Sequence, residues 1–169
     1  MSQQFILETS GLRLRPFSIE DASELFHLNS DPLVLQYTGD APFKDANDAA
    51  GFILNYRDYL QYGYGRLAVI ALESNVFLGW CGLKYSPEKQ ETDIGFRFHR
   101  KYWGRGFATE AAKVCLDFGF SEMGLTRIVG RAQIRNIASH KVLEKIGMTQ
   151  IGSFIEGSEH WLVFEKMKP

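Results

Sequence analysis

The stretch "DIGFRFHRKYWGRGFATEAAKVCLDFGF", residues 93–120, joins a strand pattern to a helix pattern through a turn that contains two glycines. Ile94, Phe96 and Phe98 alternate with other residues, as in a strand with one buried face. From Phe107 onward, apolar residues recur at helical spacing, and Gly124 is a typical helix stop. We therefore predict a strand up to about residue 98 and a helix over residues 107–123.

A further strand is predicted directly after this helix, in "RIVGRAQI" at residues 127–134. Two strands joined through a helix lie parallel in one sheet, because the chain must pass back along the helix before the second strand begins. Asn136 then caps a short helix that ends at Gly147. The segments "MTQIGSFIEG" and "HWLVFEKM" follow as a hairpin.

The residues before the opening stretch predict three more strands and two helices. Strands are expected in "LRLRPF", "RLAVIALE" and "VFLGWCGLKY". Ser18 caps a first helix whose buried stripe is predicted to be Ile19, Ala22, Leu25 and Phe26. After a loop at residues 29–43, a second helix is predicted from about residue 45 to 62. The expected fold is α+β, with a mixed, mostly antiparallel seven-stranded sheet in one domain over residues 1–169.

Composition excludes several classes of function. The chain of 169 residues has a net charge of −1, which gives no general attraction to nucleic acid. Neither a long apolar run nor the pattern of a signal peptide is found, so we expect a cytoplasmic protein that does not bind a membrane. Cys81 and Cys115 lie far apart in apolar surroundings and are expected to be buried thiols, and no metal site is indicated.

The glycines of the opening stretch predict an anion site. A helix N-terminus presents unpaired N–H groups and a partial positive charge, and Gly104 and Gly106 would let an anion approach the backbone. Arg100, Lys101 and Arg105 add positive charge. A dinucleotide fingerprint would need Gly or Ala where Thr109 stands and an acid about twenty residues later, and a phosphate loop ending in Gly-Lys-Ser/Thr is missing. A nucleotide-binding protein is thus the weakest alternative.

At this point the sequence resembles a known family. "DIGFRFHRKYWGRGFATEAAK" followed by "RNIASHKVLEKIGM" is similar to the acyl-coenzyme core of the GNAT N-acetyltransferases, in the branch of the RimJ and RimL ribosomal-protein acetyltransferases. The start "LETSGLRLRPFSIEDASELF" is typical of that branch. The resemblance implies a sheet that splays between its fourth and fifth strands, and acetyl-CoA as co-substrate.

The resemblance also implies the coenzyme-binding residues. The family loop that wraps the pyrophosphate maps onto Lys101, Gly104 and Gly106, with Lys101 departing from the usual Arg or Gln. The backbone at residues 96–98 would pair with the pantetheine arm, and Asn136 would bind the pantetheine region. The implied coenzyme ligands are Phe96, Arg97, Phe98, Lys101, Gly104, Arg105, Gly106, Phe107, Ala108, Thr109, Asn136 and Ser139.

The implied reaction is direct attack of a primary amine on the thioester, with no covalent enzyme intermediate and no metal. By resemblance, Ser139 would protonate the leaving thiolate and Asp93 would relay the proton of the amine, with His99 and Glu73 as weaker candidates. Removing a proton at pH 7 costs about 4.6 kcal/mol for a lysine side chain but only about 1 to 1.4 kcal/mol for an α-amino group. A protein N-terminus would therefore need no strong base.

The acceptor is expected between the loop "QYTGDAPF" and the turn "IEGSEHW", with Tyr37 and Trp103 as substrate-binding residues. Other residues that could line this site are Asp40, Phe43, Glu156, Glu159, His160 and Trp161. The three acids in this set would suit a cationic amine. A small amine such as a polyamine or amino sugar, and a non-catalytic acyl-CoA binding module, stay open as alternatives, as do a monomer and a homodimer.

Overall fold

Eight strands form one continuous sheet in the computed structural model, which describes residues 5–169. The first four residues of the predicted domain lie outside the described part. In chain order the strands are β1 (Leu7–Glu8), β2 (Leu12–Arg15), β3 (Arg66–Ala71), β4 (Phe77–Ser86), β5 (Glu91–Phe98), β6 (Arg127–Gln133), β7 (Thr149–Glu156) and β8 (Glu159–Met167). Their order across the sheet is β1-β2-β3-β4-β5-β6-β8-β7, and of these neighbours only β5 and β6 run parallel.

Six α-helices flank this sheet in the described part of the chain. They are α1 (Ala22–Leu28), α2 (Pro32–Leu35), α3 (Ala46–Leu54), α4 (Asp58–Tyr62), α5 (Phe107–Ser121) and α6 (Ile137–Lys145), with single 3₁₀ turns at Ile19–Asp21 and Arg100–Tyr102. None of the described helices is both long enough and apolar enough to cross a membrane.

The parallel strands β5 and β6 separate after two residue pairs. Asp93 pairs with Val129 and Ile94 pairs with Gly130, whereas the following residues of β5 continue along β4 and those of β6 continue along β8. The strands therefore diverge and leave an opening, here called the splay gap, bounded by residues 95–98 and 131–133. This confirms the predicted splay, since β5 and β6 are the fourth and fifth strands expected from the sequence.

Each face of the sheet has its own hydrophobic core. The helix α5 buries a stripe that includes Ala111, Cys115 and Leu116 against the face that carries Leu83 and Ile94. Burying one Leu side chain contributes about 1.5 to 3 kcal/mol, so this stripe fixes α5 firmly over β4 and β5. The opposite face carries a smaller core, in which residues of α1 and α3 pack on β3 and β4. Both cysteines are buried, as predicted.

Ser18 begins the first helical segment, as expected, through a capping box with Asp21. The predicted stripe is wrong at one position, since Ile19 is 48% exposed while Leu28 is fully buried. The first turn is 3₁₀ rather than α, and its three residues per turn shift the phase of the stripe.

The single helix predicted over residues 45–62 is divided into α3 and α4. The side-chain amide of Asn55 donates to the Gly51 carbonyl oxygen and ends α3. The break lets two tyrosines reach β3: Tyr56 Oη accepts from the Arg66 N–H at 2.8 Å, and Tyr59 Oη donates to the Arg66 carbonyl oxygen. These bonds between elements fix the start of β3 and override the local helical pattern.

Two further elements depart from the sequence prediction. The loop expected at residues 29–43 contains α2, because Asp31 accepts from the Leu33 N–H at 3.0 Å and Pro32 occupies the first helical position. The sheet has eight strands rather than seven, because Leu7 pairs with Leu14 and adds the short β1 at the edge.

Candidate functional site

The edge of β5 presents free backbone groups to the splay gap. The His99 N–H donates to the Leu78 carbonyl oxygen of β4, and successive strand residues direct their backbone groups to opposite sides. The N–H and C=O groups of Phe96 and Phe98 therefore point toward the gap, whereas those of Arg97 point toward β4. Trp103 Nε1 donates to the Phe98 carbonyl oxygen at 2.8 Å, so that acceptor is already in use.

The predicted anion loop has the backbone that its glycines suggested. Gly104 and Gly106 have φ values of 71° and 82°, in the left-handed region that favours glycine. Gly106 is the N-cap of α5 and, because it has no side chain, it makes no capping hydrogen bond. The N–H groups of Phe107, Ala108 and Thr109 are thus left to a ligand, at the positive end of a 15-residue helix.

Positive side chains surround this helix start. Lys101 Nζ lies 5.1 Å from the ring centre of Tyr102, and the Arg105 guanidinium lies 5.1 Å from that of Phe107. Arg100, which the sequence placed in this group, instead bonds Asp31 through Nε at 2.6 Å. The sequence prediction missed three cations near the same space: Arg135, Lys141 and Lys145. The four-residue spacing of the two lysines on α6 could have indicated this, because residues four apart lie on the same face of a helix.

Asn136 and Ser139 lie at the start of α6 beside the splay gap. Asn136 Oδ1 accepts from the Ser139 N–H at 3.2 Å, so Asn136 is an N-cap. The bond uses only the backbone of Ser139, and no hydrogen bond of its hydroxyl to another group of residues 5–169 is found. The hydroxyl therefore remains free for a ligand.

Two clefts meet at the splay gap. The helix-side cleft, of about 590 Å³, is bounded by α2, α5, α6 and the anion loop. The aromatic cleft, of about 570 Å³, lies on the other face of β5. Eight aromatic residues line it, namely Phe17, Tyr37, Phe43, Phe52, Tyr56, Trp80, Phe96 and Trp161. Residues that line both clefts are Tyr37, Thr38, Phe96, Arg97, Asn136 and Ser139.

Asp93 lies in the aromatic cleft, on the face of β5 opposite Ile94, as predicted. Its Oδ1 accepts from Arg66 Nη2 at 2.7 Å, and Arg66 Nη1 also donates to the Gly82 carbonyl oxygen at 2.5 Å. Burial lowers the pKa of Arg66, but the Asp93 carboxylate outweighs burial and leaves that pKa above its ordinary value. Hydrogen bonds of Asp93 Oδ2 within the described chain are not found, which leaves this oxygen available to a ligand.

The structure divides the predicted acceptor residues into two groups. Tyr37, Asp40, Phe43 and Trp161 line the aromatic cleft. The residues of the β7–β8 turn do not line either cleft, and these are Glu156, Glu159 and His160. Trp103 lies in the helix-side cleft, 51% exposed, rather than with the acceptor group.

The weaker base candidates lie away from the clefts. His99 Nε2 is 3.1 Å from Glu24 Oε2, and neither His99 nor Glu73 lines either cleft. Burial lowers the pKa of His99, although Glu24 opposes this. Across residues 5–169, no group of three or more His, Cys, Asp or Glu side chains is placed to hold a metal ion.

Comparison with known proteins agrees with this geometry. Residues 11–149 match the family model described as an acetyltransferase (GNAT) domain. Over 148 residues, the chain is 33% identical to the "uncharacterized N-acetyltransferase p20" of Bacillus licheniformis, covering 86% of this chain and 83% of that protein.

Solved structures share the fold. An acetyltransferase of the GNAT family from Bacillus anthracis matches with a TM-score of 0.85 and 28% identity, over 97% of this chain and 99% of that one. Spermidine N-acetyltransferase from Vibrio cholerae, solved with CoA and spermine, matches with a TM-score of 0.79 over 95% and 97% of the two chains. At 18% identity, the second likeness shows the fold alone.

Proposed function

Since the chain belongs to the GNAT family of acetyltransferases, we propose that it moves the acetyl group of acetyl-CoA to a primary α-amino group held in the aromatic cleft. One observation carries this proposal: the two clefts reach the splay gap from opposite faces and share Phe96, Asn136 and Ser139 as a common wall. A thioester delivered from one side would meet an amine delivered from the other.

The helix-side cleft binds the coenzyme in this proposal. The N–H groups of residues 107–109 hold the pyrophosphate, and Lys101 and Arg105 add charge at the loop. Gly104 and Gly106 fit this role, because a side chain at either position would project into open space beside the helix start. Lys141 and Lys145 extend the positive surface along α6, toward the phosphate of coenzyme A that is not part of the pyrophosphate.

The pantetheine arm follows the free edge of β5. The C=O group of Phe96 and the N–H of Phe98 bond it as a neighbouring strand would, while the Phe98 carbonyl oxygen stays with Trp103. Asn136 closes the other side of the gap. The backbone of Arg97 points toward β4 and does not bond the arm. Its side chain bonds Asn29 Oδ1 at 2.9 Å and Asp40 Oδ2 at 2.7 Å.

The chemical step is direct attack of the neutral amine on the thioester carbonyl carbon. Holding both reactants at the gap supplies much of the rate, and the Phe96 N–H stabilises the developing negative charge on the carbonyl oxygen. As the carbon–sulfur bond breaks, Ser139 donates a proton to the thiolate and takes one back from solvent water. Asp93 Oδ2 takes the proton of the amine through water.

An α-amino acceptor fits the available bases. The two carboxylates that line the aromatic cleft, Asp40 and Asp93, are each bonded to an arginine. Because an α-amino group needs only about 1 to 1.4 kcal/mol for deprotonation at pH 7, a weak base is sufficient. Together with the start at residues 7–26, this supports a protein N-terminus of the kind that RimJ and RimL enzymes acetylate.

Competition between acceptors tests this proposal. The protein is incubated with acetyl-CoA and an equimolar mixture of ribosomal proteins, lysine-containing peptides with free N-termini, and spermidine, and the products are identified by mass spectrometry. Acetylation at peptide or protein α-amines is the expected result. Acetylation only at lysine side chains or spermidine would refute the α-amine assignment, and coenzyme binding without thiol release would favour the non-catalytic binding module.

We also propose a cytoplasmic location and a reduced state for the protein. Cys81 and Cys115 are free thiols buried between β4 and α5. Bonding with Cys81 and burial raise the pKa of Cys115, which keeps this thiol protonated and inert. Free cysteines of this kind are typical of reducing compartments.

A further inference from the structure

The aromatic cleft is richer in cations than in anions. Four basic and two acidic side chains line it. The basic ones are Arg66, Lys84, Arg97 and Arg131, and the acidic ones are Asp40 and Asp93. A cleft for a polyamine needs the opposite balance, because its ligand carries several positive charges.

The arginines of this cleft are partly buried and held in place. The side chains of Arg66, Arg97 and Arg131 are only 16%, 10% and 20% exposed, and each bonds one carboxylate. Arg66 and Arg97 also stack on Trp80, at 5.2 Å and 5.1 Å from its ring centre. Guanidinium groups fixed in this way lose little entropy when they bind a further anion.

Arg131 retains donors for such an anion. Its Nη2 bonds Glu91, and within residues 5–169 its Nε and Nη1 make no hydrogen bond. Burial raises the pKa of Glu91, but Arg131 and Arg127 outweigh burial and hold that pKa below its ordinary value. Since Arg127 also bonds Glu91, at 3.2 Å, the carboxylate does not neutralise Arg131 alone.

Two glycines lie side by side in the sheet between these arginines. Gly82 and Gly95 are paired across β4 and β5, and Arg66 is paired with Gly82. The Arg66 guanidinium covers Gly95, where an alanine Cβ would lie 2.7 Å from Nη2. The backbone of Arg131, which follows Gly130, the partner of Ile94, is level with Gly95, and its side chain reaches back along β5 to bond Glu91. Arg66 and Arg131 therefore line the cleft from opposite sides of β5.

We propose that the acceptor carries a carboxylate, which binds at Arg131 and Arg66 beside Gly95, while its amine lies farther along the splay gap, at Phe96 and Arg97. Arg97 lies two residue steps along β5 from Gly95, a distance of about 7 Å. This span matches the carboxylate of a second residue, either the C-terminus of a dipeptide or an acidic side chain at the second position of a longer N-terminus. The inference rests on the proposed acetyl transfer and narrows its acceptor.

Matched peptides test the carboxylate and distinguish its two sources. The dipeptide Ala-Phe is compared with its amide, and the amidated peptide Ala-Asp-Phe-Gly is compared with Ala-Asn-Phe-Gly, each with saturating acetyl-CoA. Both pairs keep the α-amine and change one negative charge. We expect kcat/KM to be at least about tenfold higher for the charged member of one or both pairs, as for a hydrogen bond to a charged group.

Two variants locate the effect. In Arg131→Gln, the ratio between charged and uncharged acceptors is expected to fall below about threefold. Lys113→Gln removes the same charge from an exposed position on α5 and should keep the wild-type ratio.

The outcomes separate this inference from the proposed function. Thiol release with equal kcat/KM for both members of both pairs, or with spermidine as the best acceptor, would overturn the carboxylate site and leave the transferase intact. If no amine releases thiol, the transferase proposal fails. Calorimetry with acetyl-Ala-Phe and its amide, in the presence of CoA, then decides: weaker binding of the acid in Arg131→Gln supports the site, and equal binding of acid and amide overturns it.

Discussion

Replacement of Gly106 by alanine gives the sharpest test of the coenzyme cradle. Gly106 has φ 82°, and an added Cβ would meet no atom within 4 Å. The substitution therefore causes no clash, and its cost to folding is the left-handed backbone of a residue with a side chain, about 1 to 2 kcal/mol. For a chain of this length, 1 kcal/mol lowers the melting temperature by about 2 to 4 °C.

Gly124 provides a matched control for Gly106→Ala. It has φ 67°, an added Cβ there also meets nothing within 4 Å, and it lines neither cleft. Gly124→Ala should therefore lose the same folding stability as Gly106→Ala. Only the methyl group at residue 106 would lie where the pyrophosphate approaches the N–H groups of α5.

Thermal melting with and without CoA measures the difference. At a concentration 100 times Kd, CoA stabilises the native state by about 2.7 kcal/mol. If Gly106→Ala disrupts one hydrogen bond to phosphate, worth about 1.5 to 3 kcal/mol, the affinity falls about ten- to a hundredfold and the stabilisation is at least halved. Equal CoA-dependent shifts in Gly106→Ala and Gly124→Ala would refute the assignment of this loop to the pyrophosphate.

Three further substitutions address the mechanism and the stability of the cleft. Ser139→Ala should lower kcat at least about tenfold while the CoA-dependent thermal shift is kept, and equal turnover would remove Ser139 from the mechanism. Burial lowers the folded pKa of His99 below 6.5, so the unfolded chain takes up the proton first and the free energy of unfolding falls as the pH drops below 6.5. In urea titrations this fall should be smaller for His99→Gln, and an identical pH profile would contradict the assignment. Gly95→Ala should force Arg66 away from Asp93 and lower the free energy of unfolding by about 1 to 3 kcal/mol, whereas an unchanged urea midpoint would show that Arg66 yields freely.

Much of the fold could be predicted from local patterns in the sequence. The alternation of Ile94, Phe96 and Phe98, the stop at Gly124 and the cap at Asn136 each depend on neighbouring residues, and the structure confirms the elements they predict. Bonds between different elements could not be predicted in this way. The break after Asn55 depends on bonds between tyrosines and Arg66, which is ten or fewer residues away in sequence but lies on another element.

The character of the aromatic cleft was hidden for the same reason. Arg66, Arg97 and Arg131 lie on three different strands, and only the sheet register brings them to one face. The sequence instead pointed to acids in the turn "IEGSEHW", but Glu156 and Glu159 lie outside both clefts. To predict the charge of the acceptor, one must know how the four strands from β3 through β6 pair with their neighbours. Periodicity in the sequence does not supply this register.

The common wall of the two clefts has a kinetic consequence. Because the coenzyme and the amine reach the splay gap through separate entrances, neither blocks the path of the other, and a random order of binding is expected. A single molecule that links the CoA sulfur to the acceptor nitrogen would occupy both clefts at once. Such a bisubstrate inhibitor gains from effective concentration as well as from contacts, and should bind far more tightly than either half.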